Sequence, residues 1–294
     1  MPFLLINVAL FMIITNNTII TSYTVGSTLK LVSKKVIFLL LKKVELRCNM
    51  EKINLFVQPA YNYDTQQVEY LEILVRGYRG FDSVASILQF IKLHGIEEQF
   101  DIDILRETIR ILNNFQTLNC PVGVNLCPKT ATIEGIADKI LDILKNENKS
   151  GTEIIIEINE GTNFRDSIVK ENVRKLRSNG IKIALDDFGV EGANLYTLLS
   201  CDIDIIKVDK AFIDNSHTEY EESQSKILKR LIQLCNDFNL KHIVEGIETN
   251  KQLNSIKKLG YSVVQGYLYE KPLPFMQYLD ENIPRNLEEY KTWE

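Results

Sequence analysis

Two adjacent carboxylates, Asp186 and Asp187, follow the segment Ile181-Lys182-Ile183-Ala184-Leu185 and precede Phe188 and Gly189. The alternation in the first five residues suits a short buried strand. Successive strand residues point to opposite faces, so two consecutive Asp cannot both lie in one core layer. They are expected where the strand opens into a loop, reaching a shared polar centre. Taken alone, Asp-Asp before Phe-Gly suits a solvated turn with an N-cap equally well. The balance shifts because other strand-like segments carry polar groups late in their length: Glu72, Asn125, Glu157, Lys207, Glu245 and Gln265.

This set has an electrostatic consequence. Two unit charges about 4 Å apart repel by roughly 4 kcal/mol at an effective dielectric of about 20. Glu72, Glu157, Asp186, Asp187 and Glu245 around one centre, balanced by Lys207 alone, require either bound protons or divalent cations. A shell of carboxylates and one amide selects hard ions, Mg²⁺ or Mn²⁺, with Ca²⁺ a poorer match, rather than zinc. Adjacent Asp residues can bridge two such ions, the arrangement used for in-line hydrolysis of phosphoesters. The three histidines, His94, His217 and His242, form no metal-binding pair at helical spacing.

The segments that must position these groups alternate in type. Strands are expected at Ile53–Val57, Val68–Val75, Pro121–Leu126, Glu153–Ile158, from Ile181, and at Ile203–Val208, His242–Glu245 and Tyr261–Val264. Helices are expected at Ser83–Leu93, Asp101–Asn114, Ala131–Leu144, Phe164–Asn179, Asn194–Leu199, Tyr220–Phe238 and Asn250–Leu259. In the first helix Val84, Ile87, Leu88 and Ile91 share one face at i, i+3, i+4, i+7. Eight strands alternating with helices over about 220 residues predict an α/β fold, a TIM-like (β/α)8 barrel, with the site at the C-terminal ends of the strands. No helix separates the first two strands, so they are expected to pair antiparallel. An open doubly wound sheet is the competing architecture.

The 294-residue chain carries a net charge of −5, unevenly spread. Six Lys/Arg and a single acid precede Met50, leaving 28 basic and 38 acidic residues in the body, about −10. An acidic body argues against binding a DNA or RNA polymer; a phosphorylated substrate requires metal ions to invert the local field. Five cysteines, an odd number without CxxC spacing, argue against structural zinc and a disulfide framework and fit a reducing, cytoplasmic compartment. Residues 1–49 form an apolar and then basic leader, in which Phe3–Ile14 is short for a membrane span. A weak membrane anchor, a disordered leader and translated sequence upstream of a start at Met50 compete; the last two are favoured, because Met50 immediately precedes the first clear element. Residues 50–294 are expected to form one domain.

The motifs resemble those of EAL domains, the cyclic di-GMP phosphodiesterases. Glu72-Ile73-Leu74-Val75-Arg76 is similar to the signature itself. Gln58-Pro59, Asn125-Leu126-Cys127-Pro128, Glu157-Ile158-Asn159-Glu160, Asp186-Asp187-Phe188-Gly189, Lys207-Val208-Asp209, Glu245-Gly246-Ile247-Glu248-Thr249 and Gln265-Gly266 follow in the family's order, between about Ile53 and Pro274. The resemblance implies a barrel whose first strand is antiparallel to the rest. It implies that Glu72, Asn125, Glu157 and Asp186 hold one ion, and that Asp186 bridges to a second, held also by Asp187. It implies that Lys207 holds the attacking water and that Glu245 is a general base or second-metal partner. Arg76 and Asp209 would contact the dinucleotide, Gln58 and Gln265 would line the same site, and Glu160 would steady the loop after Asp187. The implied reaction is hydrolysis of cyclic di-GMP to linear pGpG. The rival reading is a catalytically silent receptor for cyclic di-GMP or for a protein partner. The chain departs from the family at Val190-Glu191-Gly192-Ala193, a loop that shapes the second-metal site and the usual homodimer contact, so weaker dimerisation is expected. Cys127, Gly77 and Val244 are lesser departures, and none removes a ligand.

Overall fold

The barrel strands are the apolar runs of the sequence, bounded by turns whose side chains hold them in place. The computed structural model describes residues 10–15, 18–25, 28–32, 53–189, 197–198, 201–213 and 221–285. These fall into two units, the first holding the residues before 53 with Tyr78–Phe81, the second Ile53–Gly77 with the chain from Asp82 onward.

In the first unit, β1 (Leu10–Thr15), β2 (Thr18–Val25) and β3 (Thr28–Val32) form an antiparallel meander, with Ile13 opposite Ile20 and Thr24 opposite Leu29. They lie in the stretch read from sequence as a leader. Its Thr and Ile residues are β-branched and favour strands, a preference that a search for apolar spans passes over. Among the described residues no helix is long and apolar enough to cross a membrane.

In the second unit, β4 (Ile53–Asn62) turns back into β5 (Gln67–Tyr78). Asn62 Oδ1 accepts from the backbone N–H of Asp64 and Thr65 at 3.0 and 3.3 Å, closing the turn. The remaining strands are β6 (Val122–Leu126), β7 (Ile154–Asn159), β8 (Lys182–Phe188), β9 (Ile205–Val208), β10 (Lys241–Val244) and β11 (Val263–Gln265). They pair in sequence order from β4 to β11, parallel from β5 onward, and β11 pairs antiparallel with β4, Val264 opposite Tyr61. The result is the closed eight-stranded barrel with one reversed strand. A short β12 (Leu273–Pro274) adds antiparallel to β4.

Crossover helices occupy Val84–His94, Glu97–Leu112, Ile136–Glu147, Ser167–Ser178, Glu221–Asp237 and Asn250–Leu259. Several results differ from the sequence reading. The helix expected at Ala131–Leu144 begins at Ile136, after a separate turn of helix at Pro128–Ala131. The apolar stripe of the first helix buries only Ile87 and Ile91, while Val84 and Leu88 remain 45% and 48% exposed. The second helix begins at Glu97 rather than Asp101, with Glu97 and Glu98 in the first turn, where the helix dipole favours acids. The helix expected at Asn194–Leu199 and the loop Val190–Ala193 lie mostly or wholly outside the described residues.

Candidate metal centre

Lys207 on β9 is fully buried, and its ammonium is the hub of the barrel mouth. Nζ lies 2.7 Å from Glu157 Oε2, 2.8 Å from Asp186 Oδ1, 2.9 Å from Glu245 Oε1 and 3.3 Å from Glu72 Oε2. An ammonium has three N–H donors, one fewer than the carboxylates around it. Asp186 Oδ1 and Glu245 Oε1 are buried without an aligned hydrogen bond even though they touch the charge. Burial disfavours the charged lysine, but the surrounding carboxylates, Asp186 and Glu157 foremost, outweigh it and hold its pKa well above the ordinary value.

Each carboxylate reaches this hub for a local reason. Asn125 and Glu157 are register partners on β6 and β7 and so stand side by side. Asn125 is exposed at the mouth, while Glu157 is fully buried. Glu72 sits in the middle of β5, not at its end, because that strand runs on to Tyr78; its Oε2 accepts from Gln265 Nε2 at 2.8 Å. The Asp pair was expected where the strand opens into a loop, yet β8 continues through both to Phe188. The β8–β9 register shifts between Leu185 and Phe188, and Asp187 takes a left-handed φ of 55°. This irregularity inserts a residue into the ladder and re-aims a side chain, which lets neighbours in sequence converge. Asp187 Oδ2 accepts from Asn159 Nδ2 at 2.6 Å, and Glu160 Oε2 accepts the Gly189 N–H at 2.9 Å. Gly189 has φ 103°, and any Cβ there would meet the Phe212 ring at 2.1 Å.

Two overlapping sets of oxygens lie within 4.8 Å of one another: Glu72, Glu157 and Asp186, and Asp186, Asp187 and Glu245. Asp186 belongs to both. Burial pushes Glu157 up to about 8, with Lys207 opposing and Glu72 and Asp186 adding to the rise. Asp187 is pushed up to about 6 by burial and then by Asp186, and burial raises Glu245 well above the usual carboxylate range. Fully ionised, the cluster would carry more negative charge than Lys207 offsets, and the raised values mean that without cations protons take up part of the excess. Its buried carboxylate oxygens without an aligned donor suit divalent cations with oxygen ligands.

Gln58, Glu72, Arg76, Asp209, Glu245 and Gln265 line a cavity of about 370 Å³ beside this cluster. Gln58 Nε2 donates to the Glu270 carbonyl at 3.0 Å, and Asp209 caps the turn Lys210–Phe212, accepting from Ala211 N at 2.7 Å. The Gln265 amide is directed at Glu72 and, at 3.4 Å, at the Gln58 carbonyl. Sequence reasoning missed Tyr70 and Asn159. Both lie two residues from a carboxylate already singled out, on the same strand face, and that period was the signal.

Asp101 was also missed. It is buried and accepts from Cys127 N at 2.9 Å, fixing the turn that follows Asn125. Burial pushes it up to about 7 against the opposing bonds from this turn, with nearby Glu97, paired to Lys129, adding to the rise. A carboxyl that ionises near 4 when unfolded and near 7 when folded binds more protons in the native state between those values. Its contribution to stability therefore falls as pH rises from about 4 to about 7. Asp101→Asn keeps an oxygen acceptor for Cys127 and is expected to gain on the wild type across that window. Denaturant titrations of both proteins from pH 4 to 8 check this; identical pH slopes would refute it.

The EAL domain model matches residues 43–272. The chain is similar to the probable cyclic di-GMP phosphodiesterase PdeA of Escherichia coli K12, 27% identical over 242 residues, 80% of this chain and 32% of that protein. It is 27% identical over 233 residues to the cyclic di-GMP phosphodiesterase NbdA of Pseudomonas aeruginosa PAO1, 76% of this chain and 29% of that one. It therefore spans about a third of the length of these curated relatives. Among solved structures, the cyclic di-GMP complex of the PaMucR phosphodiesterase matches with TM-score 0.68 at 25% identity, covering 77% of this chain and 99% of that one. The manganese and cyclic di-GMP complex of Klebsiella pneumoniae BlrP1 shares the fold, with TM-score 0.65 at 21% identity over 75% of this chain and 56% of that one. The matched stretch contains the reversed-strand barrel and every residue of the carboxylate hub, and the chain belongs to the EAL domain family.

Proposed function

We propose that this chain hydrolyses one phosphodiester of cyclic di-GMP, releasing linear pGpG, with two divalent cations, Mg²⁺ or Mn²⁺. The observation that carries the reading is Asp186, whose carboxylate belongs to both oxygen sets. Glu72, Asn125, Glu157 and Asp186 would hold one ion, and Asp186, Asp187 and Glu245 the other. Bound there, the ions supply an activated water and offset charge on the attacking and leaving oxygens. The protein's own groups do the rest. Lys207 keeps the carboxylates converged and, as the resemblance implies, would hold the attacking water. Arg76 lines the adjoining cavity and would pair with a phosphate oxygen. Asp209 and Gln58 line the same cavity, and Glu160 fixes the backbone after Asp187.

The test is turnover by the purified chain with cyclic di-GMP, resolving pGpG from GMP. Product is expected with Mg²⁺ or Mn²⁺, none with a chelator, and full recovery when either ion is restored. Zn²⁺ supporting faster turnover than both would contradict the oxygen-ligand assignment. Tight binding of cyclic di-GMP with no product under any metal would favour the silent receptor, the reading to which the altered loop Val190–Ala193 points.

A further inference from the structure

We infer that Tyr70 is a positioning residue for this centre, holding Glu157 from inside the barrel; the inference rests on the metal-dependent reading above. Tyr70 and Glu72 are two apart on β5 and share its inward face. The Tyr70 ring is buried in the barrel layer beneath the carboxylates, packed with Ala60, Ile155, Ala184, Ile205 and Ile243. Two of those positions are alanines, which leaves room in the layer for one large ring. The ring also lines a cavity of about 290 Å³ with Ile155, Ile205, Ile243 and Val263. Its hydroxyl engages the carboxylate cluster, donating to Glu157 Oε1 at 2.7 Å.

Phenylalanine would fill this layer as well as tyrosine does. A buried hydroxyl needs a partner, and the partner here is a carboxylate with no solvent exposure. Glu157 thus has one donor on each oxygen, Tyr70 on Oε1 and Lys207 on Oε2. Such charge-assisted bonds are short and directional, so the carboxylate has one orientation before any ion arrives. Gly123 on β6 makes this possible. A Cβ there would lie 1.9 Å from both Glu157 Oε1 and the Tyr70 hydroxyl. Glycine weakens a strand interior and marks close approach, and the approach at this point is the Tyr70–Glu157 bond itself.

Hydrogen-bond partners that orient metal ligands typically contribute tenfold or more to affinity or activity. Tyr70→Phe removes only the hydroxyl. It is expected to weaken Mn²⁺ binding by about tenfold, measured by titration calorimetry without substrate. At saturating Mn²⁺ it should lower kcat while leaving KM for cyclic di-GMP within about twofold, since the hydroxyl acts on Glu157 from beneath and lines no part of the cavity that holds Arg76 and Asp209. Circular dichroism establishes that the variant is folded. Gly123→Ala keeps the hydroxyl but displaces it, and the same loss of Mn²⁺ affinity is expected. A folded Tyr70→Phe with wild-type Mn²⁺ affinity and kcat would overturn the inference and leave the proposed function standing. A wild-type chain that neither binds Mn²⁺ nor turns over would overturn both.

Discussion

Asp186→Asn is expected to reduce cyclic di-GMP hydrolysis by about 10³-fold or more, the scale seen when a group stabilising developing charge is removed. The substitution is isosteric and keeps one oxygen, so the barrel should fold and the cavity beside it should persist. It removes the one carboxylate shared by the two oxygen sets. An amide oxygen carries no net charge, and the adjacent nitrogen would face a cation as a donor. Both proposed ions therefore weaken together, unlike the case of Asp187→Asn, which touches one set. Turnover is measured at saturating Mn²⁺ with folding checked by thermal melting. Near-wild-type activity in Asp186→Asn would sink the two-ion assignment.

Lys207→Met should have the largest effect on stability. Among the described residues Lys207 is the one cation paired with Glu72, Glu157, Asp186 and Glu245, all within 3.3 Å. Methionine fills most of the space but leaves those carboxylates facing one another without a counter-charge. Removing one partner of a buried ion pair typically costs about 3–5 kcal/mol. A loss of that size is expected in metal-free protein. Bound cations would take over the electrostatic role, so saturating Mn²⁺ should raise the melting temperature of Lys207→Met more than that of the wild type. Hydrolysis should stay lost even when metal restores stability. A metal-free Lys207→Met as stable as the wild type would show that the carboxylates are held neutral and that the lysine is not their counter-ion.

The barrel was legible because its strands are continuous apolar runs separated by amphipathic helices, and because β4 and β5 lack an intervening helix. The ligand set was legible because polar residues inside buried strands stand out. What escaped was everything set by pairing rather than by pattern. Asp186 and Asp187 converge through a register shift between β8 and β9, and that shift is a property of two strands together. Gly123 reads as an unremarkable glycine until Tyr70 and Glu157 are brought against it. Val84 and Leu88 obey the helical period of Ile87 and Ile91, yet period alone cannot say how wide a stripe the neighbours cover. The strands between residues 10 and 32 escaped for a different reason. Their Thr residues lower hydropathy while favouring extended backbone.

Closure of the barrel by β4 against β11 bears on how the chain reaches its native state. Tyr61 and Val264 are partners about 200 residues apart in sequence, and loop-closure entropy must be met before such a contact rewards it. The β4–β5 hairpin can form early from local contacts alone. Its outer edge then stays unpaired until the last crossover delivers the three residues of β11. During that interval the sheet is an open crescent with a free edge at each end, and free edges invite pairing with other chains. The seam is thus the expected slow step of refolding and the expected point of greatest aggregation risk. Refolding yield should fall steeply with protein concentration, and substitutions that weaken the β4–β11 seam should lower it further.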